Sequence, residues 1–373
     1  MKPIEMVDLA GQYEHIKDAV DRSMAEVIHS GKFINGPAVA LFEQELGAYL
    51  NVRHVIGCAN GTDALQIALM ALRLPPGSEV IVPSFNYVSA AEVTALLGYN
   101  IVFADVHPHY YTIDPEDVRR KITARTGAVI AVHLFGQAAP MEELMQLCNE
   151  HHLYLIEDNA QSIGADYIFS DGSRKKAGTI GHIGTTSFFP SKNLGCYGDG
   201  GAIMTHDDTL AAVMRSIAAH GQSEKYFYAR IGINSRLDTL QAAVLRVKLR
   251  ELDQYIRTRQ EAATYYDKEL GEVEWLGLPR RAAYTNHVFH QYTVQVKEGR
   301  REALMRHLAG KGIPSVVYYP APLHQTPAYA TSCPPKLPVS EALSEVVLSL
   351  PMHTELTVEQ LEYICATVRA FKP

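Results

Sequence analysis

The stretch "EVIVPSFNYVSAAEVTALLGYNIVFADVHPHYYTIDPEDVRRKITARTGAVIAVHLFGQAAPMEELMQLCNEHHLYLIED", residues 79–158, decides the fold. Four apolar runs recur in it, at 79–83, 100–106, 127–136 and 153–158. Each is short and rich in β-branched residues, so each reads as a buried strand. Between them, 89–98, 114–122 and 140–152 carry helical patterns. Strands alternating with helices predict an α/β fold, a mostly parallel sheet covered by helices on both faces.

Working outward, "GTDALQIALMALRL" (61–74) is apolar nearly all round and reads as a buried helix. "SRLDTLQAAVLRVKLRELDQYIRTRQEAATYYDKEL" (235–270) is long and amphipathic, and suits a link between domains. After Trp275 the texture changes. A strand pattern at 289–296 and a helix at 300–312 precede a Pro-rich segment, 314–338. A domain boundary near residue 250 follows, giving a large domain, 1–250, and a smaller C-terminal α/β domain, 251–373.

Composition narrows the function. The 373 residues are 47% hydrophobic and 20% charged, which suits a soluble globular protein. The net charge of −7 offers no basic excess for nucleic acid or an acidic membrane surface. It leaves room for one anionic small ligand. Five scattered cysteines without a C-x-x-C pair fit a reducing compartment, not a disulfide scaffold or zinc site. The N-terminal segment has acids within its apolar stretch, unlike a signal peptide, and no apolar run reaches the ~20 residues of a membrane span. A cytoplasmic location is expected. "HPHYY" (107–111) sets two histidines at i, i+2 with no further ligand cluster, so no metal is expected.

Three features carry chemistry. Ligands of an open parallel sheet sit beyond the carboxyl ends of its strands, and "LYLIEDNAQS" puts Glu157 and Asp158 at such an end. Either acid could cap the next helix or bind a neighbouring amide. A carboxylate there could also hold a proton on a cationic ring nitrogen. "CANGTDALQIAL" places Asn60, Gly61, Thr62 and Asp63 before the buried helix. A helix N-terminus offers unpaired N–H groups that favour a phosphate, and Gly61 permits close approach. An ordinary cap by Asn60 or Thr62 is the simpler alternative. The third feature is Lys192 in "SFFPSKNLGCYGDGG", with no acid within four residues on either side. Desolvation lowers a lysine's pKa and makes it a nucleophile. A phosphate cradle, an acid and an isolated amine together suit pyridoxal phosphate.

On these residues the chain resembles the DegT/StrS family of nucleotide-sugar aminotransferases, fold-type I pyridoxal phosphate enzymes. The likeness runs through "SGKFINGPAVALFEQELGAYL", "CANGTDAL", "PSFNYVSAAE", "IEDNAQSIGA", "TSFFPSKNLGCYGDGGAI", "INSRLDTLQAA" and "VVYYPAPLH". It is strongest to the branch that aminates C3 of UDP-linked 2-acetamido-3-keto sugars, in lipopolysaccharide or lipid A precursor supply. The resemblance implies that Lys192 bonds the cofactor aldehyde, that Asp158 pairs with the ring nitrogen and that Gln161 lies near the ring hydroxyl. It implies that Gly61, Thr62, Asp63 and Ser187 hold the phosphate and that Tyr87 stacks on the ring. Asn234 would reach the phosphate of a partner subunit in a homodimer with shared sites. Arg236, Tyr318 and Tyr319 would meet the UDP-sugar, with L-glutamate as amino donor. His324 would meet a phosphate or face solvent. Amination at C4, a TDP-sugar, a dehydratase and a non-enzymatic regulator are the alternatives. The family's dehydratases carry His where Lys192 stands, which favours transamination. Tyr318-Tyr319-Pro320 departs from the usual His-Tyr-Pro, and Asn159 from the usual Ala.

Overall fold

The computed structural model describes residues 2–372. The strand runs form as read, with shorter ends. β1 (His54–Cys58), β2 (Glu79–Pro83), β3 (Asn100–Ala104), β4 (Thr126–Val132) and β5 (Tyr154–Asp158) are joined by β8 (Ile183–Ser187) and β9 (Gly201–Thr205) in a seven-stranded sheet. Its order is β1-β9-β8-β5-β4-β2-β3. Strands β3, β2, β4, β5 and β8 pair in parallel, whereas β9 runs antiparallel to both β8 and β1. Two hairpins lie outside this sheet, β6 (Asp166–Ile168) with β7 (Arg174–Lys176), and β10 (Gln222–Glu224) with β11 (Phe227–Tyr228).

Helices α1 (Leu9–Ser30), α2 (Pro37–Leu50), α3 (Gly61–Leu72), α4 (Ser89–Leu96), α5 (Pro115–Lys121), α6 (Met141–Glu150) and α7 (Asp208–Ala218) precede the long α8 (Thr239–Leu270). One face of the sheet packs on α2, α6 and the first half of α8, through Phe42, Leu46, Leu144, Leu245 and Leu252. The other packs on α3, α4 and α7, through Leu65, Ile67, Val93 and Met214. Both faces are apolar, so the strands read as continuous hydrophobic runs.

At 32 residues, α8 is about 48 Å long, and it passes through residue 250 without a break. Its second half, with Ala262, Tyr266 and Leu270, enters another core. That core holds β12 (Leu276–Gly277), β13 (Tyr292–Val296) and β14 (Val347–Leu350), with α9 (Arg301–Ala309) and α11 (Val358–Ala370). α10 (Pro338–Val346) packs back toward the large sheet through Leu343.

Two expected strands are cut short, one at its end and one at its start. The 127–136 run leaves β4 after Val132 and turns through a short 3-10 helix, where Phe135 has φ +59°. The 289–296 run becomes a strand only at Tyr292, and Phe289 has φ +46°. Non-glycine residues seldom adopt such angles. Both departures lie on the wall of one cavity. No helix among the described residues is long and apolar enough to cross a membrane.

Candidate active site

The cavity opens beyond the carboxyl ends of the parallel strands and measures about 570 Å³. Each wall begins where an element stops. The loop after β2 brings Asn86 and Tyr87, the end of β4 brings Val132 and Phe135, and β5 ends on Asp158 and leads to Gln161. β8 ends on Ser187 and leads to Lys192. The N-terminus of α3 contributes Asn60, Gly61 and Thr62.

At that helix end the capping reading holds, and the turn stays open to the cavity. Asn60 caps α3, its side chain accepting from the Asp63 N–H at 2.8 Å. The same turn still faces the cavity, with the Thr62 hydroxyl 2.8 Å from that of Ser89 and Ser187 opposite. A Cβ on Gly61 would lie 2.7 Å from that of Ser187, so only glycine leaves this cradle open.

The two acids of β5 have divided their roles. Glu157 faces the interior. Its carboxylate accepts from the N–H groups of Gly178, Ile180 and Gly181 at 2.6–2.8 Å and from His133 Nε2 at 2.8 Å. His133 Nδ1 accepts from the Ala139 N–H, so Nε2 carries the proton given to Glu157. Glu157 is thus fully committed to structure. Asp158 faces the cavity and, among the described residues, its carboxylate accepts only from the Ala160 N–H, at 3.0 Å. Burial pushes its carboxyl up, against the pull of that N–H, Lys192 and His133.

Lys192 lies across the same cavity. Burial pushes its ammonium down to about 8, and the Asp158 carboxylate opposes the fall. Its amine makes no hydrogen bond or ion pair with any described residue, Asp158 included. An amine and a carboxylate that share a buried cavity without touching leave space for a group between them. Asn86 adds a buried side-chain N–H₂ without a partner. A phosphorylated pyridine aldehyde fits these residues: phosphate at the α3 cradle, aldehyde toward the amine, cationic ring nitrogen at Asp158.

That chemistry has a match in known proteins. The model of the DegT/DnrJ/EryC1/StrS aminotransferase family matches residues 14–369. The chain belongs to this family. It is similar to the UDP-2-acetamido-2-deoxy-3-oxo-D-glucuronate aminotransferase of Pseudomonas aeruginosa, 44% identical over 98% of this chain and 99% of the relative. The pleiotropic regulatory protein of Geobacillus stearothermophilus is 41% identical over 99% and 98%. The UDP-N-acetyl-3-dehydro-α-D-glucosamine 3-aminotransferase of Acidithiobacillus ferrooxidans is 40% identical over 98% and 97%. Among solved structures, DesV of S. venezuelae, in complex with a ketimine intermediate, superposes with TM-score 0.94 at 39% identity, covering 99% and 98%. A Bacillus subtilis structure with bound cofactor PMP gives 0.88 at 29%, covering 98% and 82%. This DegT-family chain is a fold-type I, pyridoxal-phosphate-dependent aminotransferase.

The expected site residues divide into two groups. Gly61, Thr62, Tyr87, Asp158, Gln161, Ser187, Lys192, Tyr318 and Tyr319 all line the cavity of this DegT-family chain. Gln161 is set by its Oε1, which accepts from the Phe135 N–H at 2.7 Å, and its Nε2 reaches the Tyr319 hydroxyl at 3.3 Å. Asp63 gives its backbone N–H to the Asn60 cap, and the residue lies off the cavity lining. Asn234 and Arg236 do not reach the cavity of their own chain. His324 requires correction. It is buried away from the cavity, with Nδ1 2.7 Å from the Ser84 hydroxyl and Nε2 3.2 Å from Glu341. Both ring nitrogens are engaged, so it neither faces solvent nor is free for a phosphate.

Sequence reading missed Asn86, His290 and Gln291 on the lining. Asn86 had a usable signal, because it follows a strand end beside Tyr87. His290 had none nearby, since it comes from the start of the C-terminal core. Its Nδ1 is buried without a partner. Burial, then Lys192 and Arg259, hold it well below the ordinary imidazole range, as a neutral ring.

Proposed function

We propose that this aminotransferase moves an amino group from L-glutamate to the C3 keto group of a UDP-linked 2-acetamido-3-keto sugar. The observation that carries the reaction is the unpaired Lys192 amine facing Asp158 across a cavity that ends in the α3 cradle. The similarity to two UDP-3-keto-sugar aminotransferases supports the substrate. When bound, pyridoxal phosphate supplies the carbonyl that carries the amino group and a ring that accepts electrons from a carbanion. Asp158 keeps its ring nitrogen protonated. Lys192 would anchor the cofactor through its amine and, when that amine is free, would take and return a proton as base and acid. Gly61, Thr62 and Ser187 bind the phosphate, Tyr87 covers the ring, and Gln161 orients it. Tyr318 and Tyr319 meet the sugar.

The working unit is a homodimer with shared sites. The cavity lining contains no arginine, and its carboxylates, Asp158 and Asp199, offer a nucleotide no positive charge. Arg236 and Asn234 of a second copy would complete it. Exposed Phe33, Ile34, Phe227, Tyr228 and Ile231 form apolar surface for such a contact. Residues 1–250 act as the large cofactor-binding domain and 251–373 as the small domain, joined by α8. Five unpaired cysteines, four of them buried, fit a cytoplasmic enzyme. The sugar would supply lipopolysaccharide or lipid A precursors.

The test is spectral and then chemical. L-Glutamate should bleach the cofactor absorbance, and a UDP-3-keto sugar should restore it with release of an amino sugar. A panel including C4-keto and TDP-linked sugars decides the acceptor. Preference for either of those would overturn the substrate, and no response to glutamate would overturn the reaction. Co-expressing Lys192→Ala and Arg236→Ala chains tests the shared site. Activity should return to no more than about half per dimer, whereas confirmed heterodimers without activity would end that reading.

A further inference from the structure

Arg259, on α8, is a buried guanidinium, 2% exposed, and no carboxylate among the described residues pairs with it. Burying a charge without a counter-ion is costly, and carbonyl dipoles are the remaining compensation. Nη1 gathers three carbonyls: Met352 at 2.9 Å, Phe289 at 3.2 Å and His290 at 3.5 Å. Nε has no partner. Burial pushes the group down to about 10, so it stays cationic at neutral pH.

Two of these carbonyls, of Phe289 and His290, belong to a joint, and that of Met352 ties it to the segment after β14. The Val288 N–H donates to the Gly136 carbonyl at 2.7 Å and the Gln291 N–H to that of Phe135 at 3.2 Å. The Asn193 amide, next to Lys192, donates to the Val288 carbonyl at 3.0 Å. The fit is close, since a Cβ on Gly136 would lie 2.6 Å from the Phe289 nitrogen and 2.8 Å from that of His290. Phe289 takes its left-handed angle within this turn. His290 and Gln291 then form part of the cavity wall.

We propose that Arg259 is a positioning residue for the reaction at Lys192: by gathering three carbonyls it fixes the 288–291 turn, which carries His290 and Gln291 into the cavity wall and is tied to the Lys192 loop through Asn193. The proposal rests on Lys192 being the reacting amine. Arg259 touches neither the cavity nor a substrate and acts only through this turn. The bland alternative is that it staples α8 to β14 and matters to folding alone.

Two full-length variants separate these roles. Arg259→Met removes the charge and the donors at similar volume, and Arg259→Lys keeps a cation with three donors. Hydrogen exchange read by mass spectrometry should rise in Arg259→Met over residues 286–293 and 350–353 and hardly elsewhere. The rate constant of the glutamate half reaction should fall about 10–100-fold, as expected of misplaced reacting groups, with the half-saturating glutamate concentration nearly unchanged. Capture of pyridoxal phosphate by the apo-protein should slow as well. Arg259→Lys should recover most of both rates. Local loosening with parent rates would overturn the proposal. So would exchange that rises throughout the chain with equal losses in both variants. If Arg259→Met does not fold, Arg259→Gln takes its place, with loosening over 286–293 and a reduced half-reaction rate expected and parent rates with that loosening overturning the proposal. A parent that ignored glutamate would instead defeat the aminotransferase reading, and the capture rate would still report on the clamp.

Discussion

Two lysines of this chain have been driven to the same state by the same force. Burial pushes Lys192, in the loop after β8, down to about 8, and pushes Lys248, in the middle of α8, down to about 8 as well. Among the described residues, neither has a carboxylate within ion-pair reach. Their surroundings differ. Lys192 looks across a cavity at Asp158, beside hydroxyls and a helix N-terminus. Lys248 is 1% exposed, lies off the lining of that cavity and sits 4.6 Å from the centroid of the Tyr197 ring, a cation–π contact. A depressed pKa therefore makes an amine available, but a shaped space makes it useful. The same contrast separates Asp158, which meets the cavity, from Glu157, whose carboxylate is saturated by backbone N–H groups.

The contrast breaks outright if Lys192 is dispensable. Lys192→Ala should lose at least about 10⁴-fold in turnover, because it removes both the anchor and the proton carrier. The cofactor's absorbance band should go with it while circular dichroism stays native. Steady-state assays with glutamate that found more than a trace of activity would move the reacting amine elsewhere. The acids come next. Asp158→Asn should bind cofactor and lose about 10²–10³-fold in rate, since a neutral amide does not hold the ring proton. Glu157→Gln should instead act on stability, by about 3 kcal/mol in chemical denaturation, as expected when a buried His–carboxylate pair is broken. A rate loss in Glu157→Gln as large as in Asp158→Asn would erase the distinction.

Much of this site was legible in the chain, for physical reasons that differ by residue. Lys192 stood out because charged side chains rarely sit alone among apolar and glycine residues. Asp158 and Gly61 were legible because the ends of parallel strands and the starts of their helices meet at one edge of the sheet. The strand pattern alone did not choose between Glu157 and Asp158, and only the family resemblance pointed to Asp158. Strand alternation puts the two on opposite sides, but which side holds the ligand depends on the 178–181 loop that Glu157 binds. His324 misled because its segment ends among exposed-looking prolines, whereas Ser84 and Glu341 enclose it from far along the chain. His290 and Arg259 were silent because their roles arise only where the C-terminal core meets the sheet. The antiparallel direction of β9 was not legible, since it comes from the irregular return at 188–200, which holds no crossover helix.

The pH dependence of cofactor capture tests the first lysine directly. Only the neutral amine attacks an aldehyde, so capture by the apo-protein should rise about tenfold per pH unit below 8 and level off above it. An ordinary lysine would keep climbing toward 10.5. A plateau absent by pH 9.5 would mean that the Lys192 amine is solvated when the cofactor enters. Lys192 would then owe its reactivity to position alone.

The smallest effect belongs to Lys248, and its sign is the informative part. Its folded pKa, about 8, lies below the ordinary value of 10.5. The unfolded chain therefore binds more protons between those limits, and stability rises with pH across that window. Below pH 8 the full penalty applies, on the order of 3 kcal/mol. The contact with the Tyr197 ring returns about 0.5–2 kcal/mol of it. Lys248→Met fills similar space with a thioether and has no charge to desolvate. It should raise stability by about 1 kcal/mol at pH 7 and lower the rise above pH 8 by the share of Lys248, leaving that of Lys192, with turnover within about twofold of the parent. Urea denaturation at several pH values measures both. A destabilised variant with the pH rise intact would show that Lys248 is hydrated in solution and that its depressed pKa belongs to another group.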